Sequence, residues 1–150
     1  MVLEYAPDRE GAIRPTVILS AEASVAARSW FACGALLGLL AVASAALASH
    51  LPDRMLAIGG RSSLQAAVQI IGWHAGALLA AALWLRNSGL PRLVHLAATA
   101  FLVGTACFCV GVAVPAFGGA HLGRLAPAGG SLLMVGWALL AASALRGRDR

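Results

Sequence analysis

Four long apolar stretches dominate the chain, and each is about the ~20 residues needed to cross a bilayer core. They fall at roughly 29–49, 63–85, 92–115 and 126–145, taking ~1.5 Å of rise per residue. A chain patterned this way folds in lipid, where backbone polar groups must be satisfied within each segment and only helices or closed barrels do that. Composition agrees: 60% of the residues are hydrophobic and 11% charged, against about 25% charged in a soluble domain. The expected fold class is all-α, an integral membrane four-helix bundle. Residues 1–28 read as a mobile cytoplasmic N-terminal tail that is partly interfacial, 29–145 as the four-span domain and 146–150 as a basic C-terminal tail. With 150 residues there is no room for a second folded domain.

The 11 basic residues are all arginine, and they flank the apolar stretches. Four spans put Arg9, Arg14, Arg28, Arg86, Arg92, Arg146, Arg148 and Arg150 on one side and Arg54, Arg61 and Arg124 on the other. The positive-inside rule then predicts both termini in the cytoplasm and a multi-pass protein of the cell inner membrane. The net charge of +5 suits anionic lipid headgroups. Nucleic acid would need a clustered basic surface with interleaved aromatics, which the sequence lacks.

Punctuation supports these boundaries. Ser62 with Gln65 three residues on reads as a capping box opening the second helix, after Gly59 and Gly60. RNSGLPR closes that helix near Gly89 and restarts the third at Pro91. PDRMLAIGG reads as a short interfacial helix. ASAALAS at the end of span one has the small-residue pattern of a signal-peptide cleavage site, but the apolar run and its leader are long for one. The span is therefore expected to be retained; cleavage would leave three.

Within hydrocarbon, glycines let helix backbones approach and gain dispersion contacts. Gly34 and Gly38 form a GxxxG pattern in span one, and Gly72 and Gly76 form another in span two around His74. Spans one and two are expected to pack there.

Gln69 and His74 are the most conspicuous polar residues inside a span, where an ionisable group is expensive. They lie about 140° apart around a helix, so neither bonds the other, but both could face a bundle interior. Two readings stand: each hydrogen-bonds a neighbouring helix and fixes register, or together they form a site for a quinone headgroup or small solute. His50, His74 and His95 sit at different depths, so a bis-histidine haem would need His74 paired across a dimer. His50 and His121 alone make a poor zinc site. Cys33, Cys107 and Cys109 read as small buried hydrophobes. No metal or cofactor is expected. The carboxylates, Glu4, Asp8, Glu10, Glu22, Asp53 and Asp149, stand at tails or in a loop, and no nucleophile has an evident base, so no enzyme is expected.

Three ordered segments resemble a known family. AAVQIIGWHAGALL is similar to its TAVQYQMYHALALL-type segment, AALASHL to GAFGAHAL, and APAGGSLLMVGWALLA to TPIGGLLLIAGWLLLA. The family is domain of unknown function 423, small bacterial and mitochondrial membrane proteins, and the resemblance covers roughly residues 30–145. On that pattern His50, Gln69, His74, Pro127, Gly129, Gly130, Gly136 and Trp137 occupy its characteristic positions. His50 thereby joins Gln69 and His74 as a candidate interior polar residue, and Gly129, Gly130 and Gly136 join the packing glycines. Ala45 and Ala48 replace glycines of the family pattern, Leu47 a phenylalanine and Ala66 a threonine, while span three reads CFCVGVAV in place of a serine- and glycine-rich stretch. The resemblance implies a four-helix membrane protein and brings no activity.

The sequence thus points to a non-enzymatic accessory or scaffolding subunit, with membrane lipids and either a larger membrane complex or further copies as partners. A ligand- or cofactor-binding module centred on Gln69 and His74 is the alternative. A small-solute transporter is a second one, poorly served by so few polar residues in the spans.

Overall fold

The computed structural model of the chain describes residues 15–86 and 91–146, with side chains from residue 25 onward. The expectations for residues 1–14, the turn at 87–90 and the end of the chain from 147 lie outside the described residues. Four α-helices, α1 (Pro15–His50), α2 (Gly60–Leu85), α3 (Pro91–Ala116) and α4 (Leu125–Arg146), are joined by short connections, the first containing a 3-10 turn at Asp53–Met55. The fold is all-α among the described residues. Val25–His50 of α1 and the whole of α2, α3 and α4 are long and apolar enough to cross a membrane.

Prolines sit where helices tolerate them. Pro91 opens α3 and Pro127 lies in the first turn of α4, where the missing N–H has no intrahelical partner to lose. Pro115 falls in the last turn of α3. That helix ends as Gly118 turns left-handed at φ 78°, while the Gly119 N–H reaches back to the Val114 carbonyl at 3.0 Å, closing free carbonyls at the terminus. The start of α2 differs from a capping box. The helix already begins at Gly60 behind a left-handed Gly59, and Ser62 and Ser63 both donate to the Gly59 carbonyl. α1 also begins well before residue 29, within the stretch read as a tail.

The extensive helix pairs are α1 on α2, α2 on α3 and α3 on α4. Their shared core holds Leu78, Leu85, Val94, Phe101 and Leu133 among many alanines. Apolar area alone does not drive helices together in lipid, so the pairs depend on how closely backbones approach. The tightest approach is α3 on α4. A Cβ on Gly129 would stand 2.5 Å from the Phe108 nitrogen and 2.8 Å from the Gly104 oxygen. A Cβ on Gly104 would meet Leu133 at 2.7 Å, one on Gly111 the Ala126 nitrogen at 2.6 Å, and one on Gly136 the Phe101 ring at 2.8 Å. Gly130 is looser, with Phe108 at 3.9 Å.

On α1 and α2 the four glycines divide. Gly34 faces Leu79 at 3.0 Å and the Ala75 carbonyl at 3.1 Å, so it is a close contact. Gly38 and Gly72 make ordinary contact with Ala75 at 3.9 Å and Ala41 at 4.0 Å, whereas Gly76 has nothing within 4 Å. The end of the bundle that holds the α1–α2 connection is tied across to α3. The Ala57 N–H donates to the Ala116 carbonyl at 2.9 Å, and Gly60 sits so close that a Cβ would lie 2.5 Å from the same oxygen.

Substitution should separate these glycines. Gly129→Leu forces α3 and α4 apart and is expected to cost about 3 kcal/mol or more, the upper range for overpacking. Gly76→Ala is expected to be neutral or to stabilise by up to about 1 kcal/mol through helix propensity. Reversible unfolding in mixed micelles, followed by circular dichroism, measures both.

Candidate functional site

His74 lies mid-way along α2, and the interior closes around it. The residue is 5% exposed. Its ring stands 5.5 Å from that of Phe101 on α3 and 6.2 Å from that of Trp137 on α4, and the latter two meet edge to face at 5.0 Å. Such edge and tilted geometries suit the quadrupoles of aromatic rings. Gly136, one residue before Trp137, gives Phe101 the room to enter. His74 Nδ1 is 2.8 Å from the Ile70 carbonyl of its own helix. A carbonyl only accepts, so Nδ1 carries the proton and Nε2 of the neutral ring presents a lone pair. That Nε2 is buried without a partner.

One turn along α3 from Phe101, the Thr105 hydroxyl is the other buried side-chain polar atom without a partner among the described residues. Thr105 borders a cleft of about 300 Å³ between α1 and α3, with Leu37, Leu40 and Ile71 on its walls. The interior therefore contains one bare acceptor and one bare hydroxyl at neighbouring depths.

Gln69 is not part of that interior. It lies on an exposed face of α2, on the wall of a separate cleft of about 440 Å³ that opens between α2 and the end of α1. Gln65 and Arg61, at successive turns of α2, share that cleft with Ala45, Ala48 and Ser49 of α1. His50 is exposed at the last position of α1, and His121 is exposed in the connection before α4. The structure thus separates the three candidate polar residues: His74 inside, Gln69 in the lateral cleft, His50 at a helix end. No cluster of three or more His, Cys, Asp or Glu occurs among the described residues.

Two indole contacts join helices far apart in sequence, and an arginine ties neighbouring elements together. The Trp30 indole donates to His95 Nδ1 at 2.9 Å, linking α1 to α3. The Trp84 indole donates to Ser143 Oγ at 3.1 Å, linking α2 to α4, and that hydroxyl donates in turn to the Leu140 carbonyl at 2.7 Å. Arg61 gathers the other end of the bundle. Its Nε and Nη2 bind Asp53 at 2.8 and 2.6 Å, Nη1 binds the Ala48 carbonyl at 3.0 Å and Nη2 the Leu51 carbonyl at 2.6 Å. A guanidinium against the last carbonyls of α1 also faces the negative end of its dipole. The family pattern carried none of these contacts, and sequence reasoning passed over Trp30, Trp84, Arg61, Phe101 and Thr105. The legible signal was a polar-capable tryptophan near a span end, which seeks a partner for its N–H when buried.

With this arrangement in view, one comparison is decisive. The model of a family described as a protein of unknown function, DUF423, matches residues 44–130, more than half of the chain. The chain belongs to the DUF423 family. The match runs from the last turns of α1 into the start of α4, so it includes the lateral cleft, His74, Phe101 and Thr105 of this DUF423 protein and stops short of Trp137. No curated protein and no solved structure matches the chain at a significant level.

Buried His74 and half-buried His95 should respond differently to mutation. A polar atom left bare in the interior carries a desolvation penalty that an apolar side chain of similar size removes. His74→Leu is therefore expected to stay within about 1 kcal/mol of the parent stability, whereas His95→Leu strands the Trp30 indole and costs about 1–2 kcal/mol. Unfolding free energies of both variants in the same micelles test the difference.

Proposed function

We propose that this DUF423 protein is a non-enzymatic accessory or scaffolding subunit of the cell inner membrane, with both termini in the cytoplasm. The observation that carries this reading is the one-sided attachment of α1. Of its membrane-spanning window only 11% is buried within the chain, and Leu36, Leu39, Leu40 and Val42 are exposed along it. The corresponding share for α4 is 22%. Two outer helices therefore present long apolar faces sideways, to lipid and to other membrane-spanning helices, while the central helices are occupied in holding the bundle together. Partners are accordingly a larger membrane complex or further copies of the chain, within the lipid that bathes both.

The distribution of charge supports the orientation. Arg28, Arg86, Arg92 and Arg146 gather at one end of the described bundle. At the opposite end Arg61 is paired with Asp53, which leaves Arg54 and Arg124 as the cations there without a salt bridge among the described residues. The positive-inside rule counts the arginines themselves, and the four described at the first end outnumber the three at the opposite one. Absence of catalysis is part of the proposal: Asp53, the one described side-chain carboxylate, is held by Arg61 and stands apart from His74.

One observation favours a second reading, that of an interior ligand site. The bare Nε2 of His74 beside Phe101 and Trp137 would accept a hydrogen bond from a hydroxyl- or N–H-bearing ligand.

Extraction of native membranes in a polymer that retains lipid, followed by quantitative mass spectrometry, tests the first reading. A stoichiometric membrane partner, or a defined homo-oligomer, should be retained by the parent and lost at least tenfold when Leu36 and Leu40 are both changed to alanine. A monomer without partners that carries a chromophore or small ligand removed by His74→Ala would overturn it in favour of the second. For orientation, a cytoplasm-dependent fluorescent reporter should be active when fused after Arg150 and inactive when inserted at Gly119.

A further inference from the structure

The lateral cleft between α1 and α2 is unlike the rest of the lipid-facing surface. Gln65 and Gln69 stand one turn apart on the same face of α2, opposite the small side chains of Ala45, Ala48 and Ser49. At ~1.5 Å per residue, Gln69 lies ~13 Å along the helix from Gly60. It is therefore well inside a segment that spans hydrocarbon, where a carboxamide without a hydrogen-bond partner is costly. Neither carboxamide has such a partner among the described residues. The nearby backbone offers little: the Ala48 and Leu51 carbonyls accept from Arg61, and the Ala46 carbonyl accepts from Ser49. Two amides, each able to donate and accept, thus face an open volume of about 440 Å³, within the roughly 300–1,000 Å³ typical of small-ligand sites.

The chemistry of the occupant follows from the remaining wall. Arg61 is the cleft's one cation, and Asp53 neutralises it while two carbonyls take further N–H groups. An anionic headgroup would find that charge already spent. A neutral head with carbonyl and hydroxyl groups, or two carbonyls, matches the carboxamides directly. Towards the middle of α2 the same exposed face continues as Gly72 and Gly76, the first with only Ala41 at 4.0 Å and the second with nothing within 4 Å. Neither residue has a side chain, so the face beyond the amides leaves a lane wide enough for an aliphatic tail to lie against the helix.

We propose that the α1–α2 cleft binds an amphiphile whose uncharged, carbonyl-bearing head is held by Gln65 and Gln69 and whose aliphatic tail lies along Gly72 and Gly76. Acylglycerols and prenylated quinones share this chemistry. The site is separate from the interior around His74 and goes beyond the accessory role, since it assigns a ligand class to a surface of the chain.

The test uses the full chain in phosphatidylcholine nanodiscs, titrated separately with dioleoylglycerol and with a prenylated benzoquinone, and read by native mass spectrometry. Saturable 1:1 binding of at least one probe is expected, and the probe that binds identifies the source of the head. The Gln65→Leu/Gln69→Leu double variant should weaken binding at least tenfold while keeping its helix content, because leucine suits a lipid-facing position. Gly72→Leu, which fills the lane and spares both amides, should weaken it as well. Phosphatidylglycerol should not compete.

Failure of both probes to bind saturably overturns the proposal, as does a double variant that binds like the parent. Equal competition by phosphatidylglycerol overturns the uncharged head. If the double variant instead converts a dimer to monomers, the occupant is a second copy of the chain and the proposal falls.

Discussion

Everything in this bundle depends on the contact of α3 with α4, where Gly104 and Gly129 bring two backbones together with no side chain between them. In water the apolar faces of these helices would be driven together by the solvent. In hydrocarbon the lipid tails are as apolar as leucine, and the helices associate through contact distance and shape. The α3–α4 seam repeats that solution at Gly111 and Gly136, so it extends over several turns. It also sets the position of Phe101 over Gly136, and Phe101 in turn forms one wall around His74. The geometry of the interior is thus inherited from a row of absent side chains.

Polar contacts then add direction to a contact that shape alone would leave free to slide. Trp30 with His95 and Trp84 with Ser143 each cross between helices that share little other surface, and Arg61 binds the end of α1 to the loop that follows it. Each bond in a membrane interior contributes modestly, about 0.6 kcal/mol on average. Their value lies in register: sliding one helix by a turn would leave an indole N–H or a guanidinium without its acceptor.

Hydropathy and arginine placement made the four helices legible, because lipid imposes a length and a polarity that few sequences meet by chance. The close contact at Gly34 was legible from the GxxxG spacing of span one. Faces were not. Gln69 and His74 both looked like interior residues from their spacing, yet only His74 turns inward, because the α1–α2 pair closes at Gly34 and Ala41 and opens into a cleft at Ala45 and Ala48, which leaves Gln69 exposed on its wall. The glycines misled similarly: Gly76 matched a packing motif but faces open space, while Gly104 and Gly111, in no such motif, carry close contacts. A one-dimensional pattern states that a small residue is present; which neighbour approaches it is set by where the other three helices lie.

α1 is a helix of 36 residues, or ~54 Å at ~1.5 Å per residue, against a hydrocarbon thickness of about 30 Å. Arg28 and Phe31 of α1 stand beside Arg86 at the end of α2, so the turns from Pro15 onward continue the same helix past the end of α2. The rod is gripped mainly from one side, with its closest hold at Gly34 against Ala75 and Leu79. It has the proportions of an oar in a rowlock. A sideways load on the projecting turns would be delivered, as torque about Gly34, to the far end of α1, where Ala45, Ala48 and Ser49 border the cleft and Arg61 ties the helix down.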